Sequence, residues 1–449
     1  MSTERVAQEF VERLSVFTGG FTLESAQAVC ADATIHQDDM PSLVSLLVER
    51  GLIELDGPSD VSRYRLVPEL RSNLSACLMA RGQASTVQLR LVEYLSDLAK
   101  QGLGHLTNGG LGSYGYEWGI PIGPEGRAWF DRQEHELANL HAAFQWLVDR
   151  GDVKRGLALA TILIDYWETG PEREADGYAW VTKLLRTHPG AEHMAPSPAE
   201  RAEGLHLAGG LTRDPELARD HFEEALAIYR QLGHQGQIIH LASHVVNAMC
   251  SMRDYPAARA LLQDQLMNAR AKGKQRLVSR LVDRLAQAAY DEGDLVTARS
   301  LFEEALALCQ RGGDAALVPH VWLGLARAAG AQPDVDAAVT AYRQALTLLD
   351  VDDEMSASNT WPILLGLEGL ASVFARSGEV ERAGRLFGAA DGERERLRMA
   401  IPSAGEPVHD HYVLQVRAAL HGDGYEVAHA EGRAMSLEQA ITYALAGSS

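Results

Sequence analysis

Two histidines four residues apart, His240 and His244, form a spacing in this 449-residue sequence that can bind a metal ion. Residues at i and i+4 lie on one face of a helix, and imidazole nitrogens are common zinc ligands. No carboxylate or cysteine stands beside them, so we expect histidines packed between helices. The sequence also lacks a GxSxG elbow, an HExxH motif and paired cysteines. We therefore predict no metal, no cofactor and no catalytic residues.

Two other segments carry side chains of chemical interest. His409, Asp410 and His411 lie in a stretch rich in proline and glycine, which predicts a solvated loop. Residues 102–126 hold nine glycines and the closely spaced aromatics Tyr114, Tyr116 and Trp118. One interpretation of this segment is a flexible surface loop. The alternative is an aromatic lid over a ligand or partner groove, because bare aromatic side chains are costly to expose.

A helical pattern recurs at a long, nearly constant period and must position any site in the second half of the chain. Each copy has an alanine, an aromatic four residues later and a second alanine three residues after that. The copies are Ala218/Phe222/Ala225, Ala298/Phe302/Ala305, Ala338/Tyr342/Ala345 and Ala383/Phe387/Ala390, with a weaker Ala258/Leu262/Gln265. Their first members are 40, 40, 40 and 45 residues apart. A second apolar helix precedes each copy, which predicts stacked two-helix repeats.

This unit resembles the tetratricopeptide repeat, although that family's usual period is about 34 residues. The resemblance implies that the first helix of each repeat lines a concave groove. The positions six and three before its small alanine, and one and four after it, would face that groove. The groove residues implied are His240, Asn247, Arg280, Asp283, Gln287, Tyr290, His320, Arg327 and Glu368. Such side chains suit a peptide or a small polar ligand, and arginines suit a carboxylate. An ordinary solvated face is the alternative.

Residues 1–78 predict three helices followed by a short β-hairpin, which is the order of a winged-helix domain. Thr22 is a candidate N-cap of the second helix, and Pro41 begins the third. The third helix offers few basic or amide side chains to read DNA, and residues 1–75 hold twelve acidic residues against six arginines. We therefore expect this domain to pack against protein.

Several segments resemble large bacterial signal-transduction ATPases with an NB-ARC-type nucleotide domain, including LuxR-type and AfsR-type regulators. The segments are LSVFTGGFTLESAQAVC, LVSLLVERGLIEL and RYRLVPELR near the start, WFDRQEHELANLHAAFQWLVDRGD, LFGAADGERERL, and AEGRAMSLEQAITYAL near the end. The sequence contains no GxxxxGK[ST] loop, so ATP binding in that family's manner is not expected. The resemblance implies the sensor part of such a regulator, without its ATPase and DNA-reading domains.

Composition sets further bounds. The net charge of −20 opposes direct nucleic-acid binding, no apolar run is long enough for a membrane span, and four scattered cysteines favour free thiols in a reducing cytoplasm. The predicted fold class is all-α, with a winged-helix-like domain (1–78), a helical connector (79–200), tetratricopeptide-like repeats (201–397) and a C-terminal helical cap (398–449).

The leading functional prediction is a non-catalytic regulatory scaffold. It would bind a protein, peptide or small effector in the solenoid groove, in transcriptional or secondary-metabolism regulation. The alternative is a repurposed small-molecule-binding protein or enzyme, whose pocket would be the same groove closed by the 102–126 segment. A perturbed acid–base pair such as Asp283 with His320 or Glu368 would support that alternative.

Overall fold

A computed structural model describes residues 3–56, 62–101, 123–312, 314–332, 334–349, 356–397, 406–420 and 423–446. The predicted fold class is confirmed, because the described residues are almost entirely helical with three short strands. The chain forms two compact units. The first reaches Leu207 apart from residues 168–174, and the second holds those residues together with everything from Ala208 onward. None of the described helices is both long and apolar enough to cross a membrane.

Between Thr3 and Leu211 the described residues form ten α-helices and the three strands. The helices are α1 (Thr3–Leu14), α2 (Leu23–Cys30), α3 (Met40–Glu49), α4 (Pro68–Ala80), α5 (Ala84–Lys100), α6 (Gly123–Arg150), α7 (Val153–Ile162), α8 (Ile164–Trp167), α9 (Pro171–Arg186) and α10 (Pro198–Leu211). The strands are β1 (Phe21–Thr22), β2 (Ile53–Leu55) and β3 (Arg63–Leu66), and short 3₁₀ turns cover Gln37–Asp39 and Glu192–Met194.

The three strands form one antiparallel sheet in the order β1-β3-β2. The β2–β3 hairpin is the predicted one, with Ile53 opposite Leu66, whereas the short β1, which pairs Phe21 with Tyr64, was not predicted. Thr22 caps α2 as expected, since its hydroxyl accepts the backbone N–H of Ser25. A two-residue strand that runs directly into a helix cap leaves too little period-two pattern to be recognised in a sequence.

A buried polar cluster joins the hairpin to α6 within the first unit. Arg63 donates to a carboxylate oxygen of Glu136 at 2.7 Å and to the backbone oxygen of Gly19 at 3.1 Å. The side chain of Asn139 accepts the backbone N–H groups of Thr18 and Gly19 at 2.8 and 2.9 Å. Because these groups satisfy one another away from water, they fix α6 against the N-terminal helices.

The rest of the chain is a helical solenoid with a C-terminal cap. Its helices are α11 (Pro215–Leu232), α12 (Gln235–Ser251), α13 (Tyr255–Ala271), α14 (Gln275–Glu292), α15 (Leu295–Gln310), α16 (Val318–Ala331), α17 (Val335–Leu348), α18 (Ser356–Ser377), α19 (Val380–Leu397), α20 (Glu406–Ala419), α21 (Gly424–Arg433) and α22 (Leu437–Leu445). One 3₁₀ turn, Ala315–Leu317, precedes α16.

The repeat pattern has the predicted physical basis. Phe302 is 2% exposed, and a Cβ added to Gly324 on the next helix would lie 2.3 Å from its ring. The aromatic side chain thus fills space that a glycine leaves open. Each second helix from α11 to α17 also begins at an aspartate whose side chain accepts a first-turn backbone N–H. These caps are Asp214, Asp254, Asp294 and Asp334.

The cap closes the C-terminal end of the solenoid through close helix packing. A Cβ added at Gly432 of α21 would lie 1.9 Å from the backbone oxygen of Arg385 on α19, and one at Gly388 would lie 2.1 Å from that of His429. Arg343 and Arg382 donate to the backbone oxygen of Ala446, at the end of α22.

The structure corrects one expectation in the cap. Residues 409–411 were predicted to lie in a solvated loop, but they fall inside helix α20. Pro407 is the second residue of this helix, and a proline in the first turn does not interrupt a helix because the N–H it lacks would have no partner there.

Candidate functional site

The first helices of the repeats, α12, α14, α16 and α18, form one continuous face of the second unit. Successive first helices contact one another, whereas successive second helices pack less closely. The first helices therefore form the side of the stack on which successive repeats meet most closely. We call this surface the first-helix face.

Amides and arginines link neighbouring repeats across this face. Arg284 donates to the side-chain oxygen of Asn247 at 3.3 Å, and Arg327 donates to that of Gln287 at 3.0 Å. Asn247, Gln287 and Arg327 are 40 residues apart in turn, so they occupy the same position in three repeats. Because the side-chain oxygen of each amide accepts from an arginine, its NH₂ group points away from that arginine. The NH₂ group of Gln287 donates to a carboxylate oxygen of Asp291 at 2.8 Å.

Tyr290 adds an aromatic surface beside this ladder. The guanidinium carbon of Arg327 lies 4.4 Å from the centre of the Tyr290 ring, which is cation–π geometry. Tyr290 and Arg327 are both partly exposed. Stacking and hydrogen bonding together hold Arg327 in one orientation, which lowers the entropy it would lose on binding a ligand.

A buried carboxylate organises the arginines at one end of α14. Asp314 is 3% exposed, and its Oδ2 lies 2.5 Å from Nε of Arg280 and 3.0 Å from Nε of Arg276. Burial disfavours the charged form, but the hydrogen bonds from Arg276 and Arg280 outweigh it and lower the pKa of Asp314. The carboxylate therefore stays ionised and fixes two guanidinium groups in place.

Two histidines of the face are held neutral near pH 7. Burial first, and then the charge of Arg284, lower the pKa of His240. The same causes, with Arg280 added, lower the pKa of His320 to about 4. Nε2 of His240 lies 3.2 Å from Nε2 of His244, which is within hydrogen-bond distance.

The α18 end of the face carries a different arrangement. Glu368 pairs with Arg394 of α19, whose guanidinium carbon is 6.0 Å from the Trp361 ring centre. Arg394 is 4% exposed, and its Nε and Nη2 have no hydrogen-bond partner among the described residues.

The nine residues predicted for the groove all lie on the first helices. Gln287, Tyr290 and Arg327 form one connected group, and Arg280 belongs to the Asp314 cluster. Asp283 is 5% exposed and so offers little surface to a ligand. The three aromatic residues predicted as a lid, Tyr114, Tyr116 and Trp118, lie outside the described residues.

Sequence reasoning missed three members of this network. Arg284 directly follows Asp283, which was predicted for the groove. One face of a helix advances by three or four residues, so either position is compatible with that face. Arg276 and Asp314 lie beyond the four positions taken from each repeat, and Asp314 belongs to the turn before α16. The available signal was the regular spacing of Arg276, Arg280 and Arg284, each four residues after the one before.

The tetratricopeptide repeat family model matches residues 278–350 of this chain. Curated relatives from Mycobacterium tuberculosis and Mycobacterium bovis, each named "Putative HTH-type transcriptional regulator", are 28% identical over 242 residues. The match covers 52% of this chain and 25% of each relative, so the chain spans about a quarter of their length. The family match spans the helices α14 to α17, which are therefore tetratricopeptide repeats.

Two solved structures show a looser likeness. One is a Rap protein complexed with competence and sporulation factor, at 11% identity and TM-score 0.43, covering 80% of this chain and 99% of that one. The other is a STAND protein with a tetratricopeptide repeat sensor from Pyrococcus horikoshii, at 14% identity and TM-score 0.38, covering 95% of this chain and 63% of that one. No function follows from likenesses this weak.

Proposed function

We propose that this protein is a non-catalytic regulatory scaffold that binds a peptide segment of a partner protein on its first-helix face. The observation that carries the proposal is the ladder of Asn247, Gln287 and Arg327 at one position of three successive repeats. Hydrogen-bonding side chains placed at one position of successive repeats suit a ligand that is itself a regular chain. An extended peptide, with a carbonyl oxygen and an N–H group in every residue, is such a ligand.

The setting of the proposed function is the regulation of transcription or of secondary metabolism. It is supported by the resemblance of several segments to large LuxR-type and AfsR-type regulators and by the similarity to the mycobacterial proteins. In this proposal the N-terminal winged-helix-like domain transmits the bound state to another protein in the cytoplasm, without ATP or direct nucleic-acid contact. A small effector in the same groove is the second candidate, and the aromatic ring of Tyr290 beside Arg327 favours it.

The test is site-specific photo-crosslinking in the host cell, followed by a binding measurement. A photo-reactive phenylalanine analogue replaces Gln287 on the first-helix face or, as the control, Glu303 on the exposed side of α15. We expect one defined polypeptide to be captured from position 287 and not from position 303. Equal capture at both positions would contradict the proposal.

The affinity of the captured polypeptide is then measured for variants of the first-helix face and of α15. Arg327→Met removes the charge and the hydrogen bonds but keeps an apolar stem over Tyr290, and we expect it to weaken binding by about tenfold. Arg299→Met on α15, where Arg299 pairs with Glu303 and Asp334, is the matched control and should change binding less than twofold. A bound species of a few hundred daltons in native mass spectrometry, with no polypeptide, would favour the effector alternative.

A further inference from the structure

A pair of histidine side chains converges on the first-helix face. His240 and His244 lie one turn apart on α12, and both are half-buried. Their Nε2 atoms are 3.2 Å apart, whereas their ring centres are 4.6 Å apart and the ring planes meet at 80°. Because the nitrogens are closer than the ring centres, the two nitrogen-bearing edges converge. We call these two side chains the α12 histidine pair.

The distance between the two nitrogens matches that between two ligands of one metal ion. Zinc binds imidazole nitrogen at about 2.0–2.1 Å, so two such nitrogens of a tetrahedral site lie about 3.3 Å apart. The distance also suits a hydrogen bond between neutral rings, in which one Nε2–H group donates to the other Nε2. The two arrangements use the same atoms, and they differ in whether a metal ion takes the place of the shared proton.

The surroundings of the pair select the class of ion. Among the described residues of the second unit, no carboxylate or cysteine joins the two histidines in a ligand group. The positive charge of Arg284 acts on His240 and opposes an ion that is held by charge alone. Hard cations such as Mg²⁺ and Ca²⁺ prefer oxygen ligands, whereas Cu²⁺, Ni²⁺ and Zn²⁺ suit imidazole. The pair therefore fits a transition-metal ion, with water at its remaining coordination positions.

Packing orders the ligands before an ion arrives. The ring centre of His244 lies 5.0 Å from that of Phe222, a side chain of α11 that is 4% exposed. Both histidines belong to one helix, so no loop has to fold and no helix has to move to bring their nitrogens together. A ligand pair that is already ordered loses less conformational entropy when it binds.

We propose that the α12 histidine pair binds one divalent transition-metal ion of the Cu²⁺, Ni²⁺ and Zn²⁺ class through its two Nε2 atoms. The sequence predicts no metal at this position, because no carboxylate or cysteine stands beside the pair. The orientation of the rings, on which the distance between the nitrogens depends, has no sequence signature. This inference goes beyond the proposed function and does not require a bound peptide.

The test is isothermal titration of the full chain, purified without a histidine tag, with the chlorides of Cu²⁺, Ni²⁺, Zn²⁺ and Mg²⁺. We expect one site that binds Cu²⁺ more tightly than Ni²⁺ or Zn²⁺ and does not bind Mg²⁺. His240→Gln and His244→Gln should each weaken this site by at least about tenfold, because only one imidazole remains. The chain has sixteen histidines, so the assignment depends on the difference between variants and not on total uptake.

The control is His234→Gln, which changes an exposed histidine at the N-cap of α12. Its affinity for Cu²⁺ should stay within twofold of the wild-type value. A second variant, His244→Cys, keeps a metal ligand at the same position and so separates coordination from loss of folding. We expect Co²⁺ to give ultraviolet thiolate-to-cobalt absorption in this variant, and to give it at least about tenfold more weakly in His240→Gln with His244→Cys.

The outcomes separate this inference from the proposed function. If both glutamine variants bind Cu²⁺ as the wild-type protein does, the metal site is overturned and the pair is a hydrogen bond between two histidines. If Mg²⁺ binds as tightly as Ni²⁺, the ion is held by charge and the proposed class is wrong. Crosslinking at position 287 is measured without added metal, so neither result changes the test of peptide binding.

Discussion

Arginine side chains order the polar chemistry of the first-helix face. Arg280 is held there by Asp314 and Arg327 by Gln287, each from a neighbouring helix or turn. Buried or half-buried charges that are paired in this way cost less to desolvate than isolated ones. Their orientation is then set by the fold and not by the ligand, which is the condition for selective binding.

His320 gives a pH-dependent test of this electrostatic arrangement. Burial and the charges of Arg284 and Arg280 lower its pKa to about 4 in the folded protein, against the ordinary value of 6.5. The unfolded chain therefore binds the proton more tightly, so protonation favours unfolding. The contribution of neutral His320 to the free energy of unfolding is complete above pH 6.5. It is lost as the pH falls from 6.5 toward 4, by up to about 3 kcal/mol.

The measurement compares urea unfolding of the wild-type protein and His320→Gln between pH 7.5 and 4. Asp314, which faces the same cluster, has a pKa lowered by the hydrogen bonds from Arg276 and Arg280 and stays ionised over this range. We expect the free energy of unfolding of the wild-type protein to fall more steeply with acid than that of the variant. Parallel curves would show that His320 does not carry the effect.

For single residues, the sequence predicted which side chains lie on the first-helix face better than it predicted their hydrogen-bond partners. The period of 40 residues placed Gln287 and Arg327 on the first-helix face. The hydrogen bond between them joins two neighbouring repeats, so it depends on how those repeats stack. Arg394 was missed for a similar reason, since it lies on a second helix and reaches back to Glu368. A contact between residues far apart in sequence has no local signature.

Among the elements, the repeat boundaries were the most predictable part of the fold. The alanine–aromatic–alanine triplets are buried in α11, α15, α17 and α19. A second signal with the same period went unused, namely the aspartate N-caps at 214, 254, 294 and 334. Such caps satisfy first-turn N–H groups that would otherwise lack partners. The two signals are independent, so together they fix both the start and the buried side of each second helix.

Phe302→Ala tests the contact between α15 and α16. The ring is 2% exposed and lies against Gly324, so its removal leaves a cavity that the glycine cannot fill. We expect a loss of about 3–5 kcal/mol in the free energy of unfolding. Hydrogen exchange should show that α15 and its neighbours lose protection most. Leu301→Ala on the same helix, at a partly exposed position, is the control and should cost clearly less.

Gly432→Ala tests the pairing of α19 with α21. The new methyl group would lie 1.9 Å from the backbone oxygen of Arg385, a distance that requires the two helices to separate. We expect a loss of about 1–3 kcal/mol, the range for overpacking. Gly236→Ala in α12, where no atom lies within 4 Å of the added carbon, should leave the stability unchanged or slightly higher. A tolerated Gly432→Ala would contradict the close approach.

This helix pairing explains a feature of the sequence that the repeat period does not. Two of the segments that resemble the bacterial regulators, LFGAADGERERL and AEGRAMSLEQA, belong to α19 and to the α21–α22 region. Gly388, Gly392 and Gly432 permit their backbones to touch. The sequence alone shows small residues in each segment, but it does not show that the two segments face each other.

For the whole molecule, the net charge and the division into two compact units are independent properties. The net charge of −20 makes the chain acidic as a whole, although Arg276, Arg280 and Arg284 place three cations on α14. The predicted boundary between the connector and the repeats falls between residues 200 and 201, whereas the two compact units divide between Leu207 and Ala208. Both positions lie within α10, so the division falls inside a helix and not at a loop.

Because each unit has its own core, their unfolding should be separable. Phe144 is fully buried in the first unit and Phe387 in the second. We expect two resolvable transitions in scanning calorimetry or two groups of hydrogen-exchange rates, with Phe144→Ala lowering the stability of one and Phe387→Ala that of the other, each by about 3–5 kcal/mol. If both variants shifted the same single transition by similar amounts, the two units would be one cooperative domain. A ligand bound on the first-helix face should then protect both groups of amides, whereas independent units confine that protection to residues beyond Leu207.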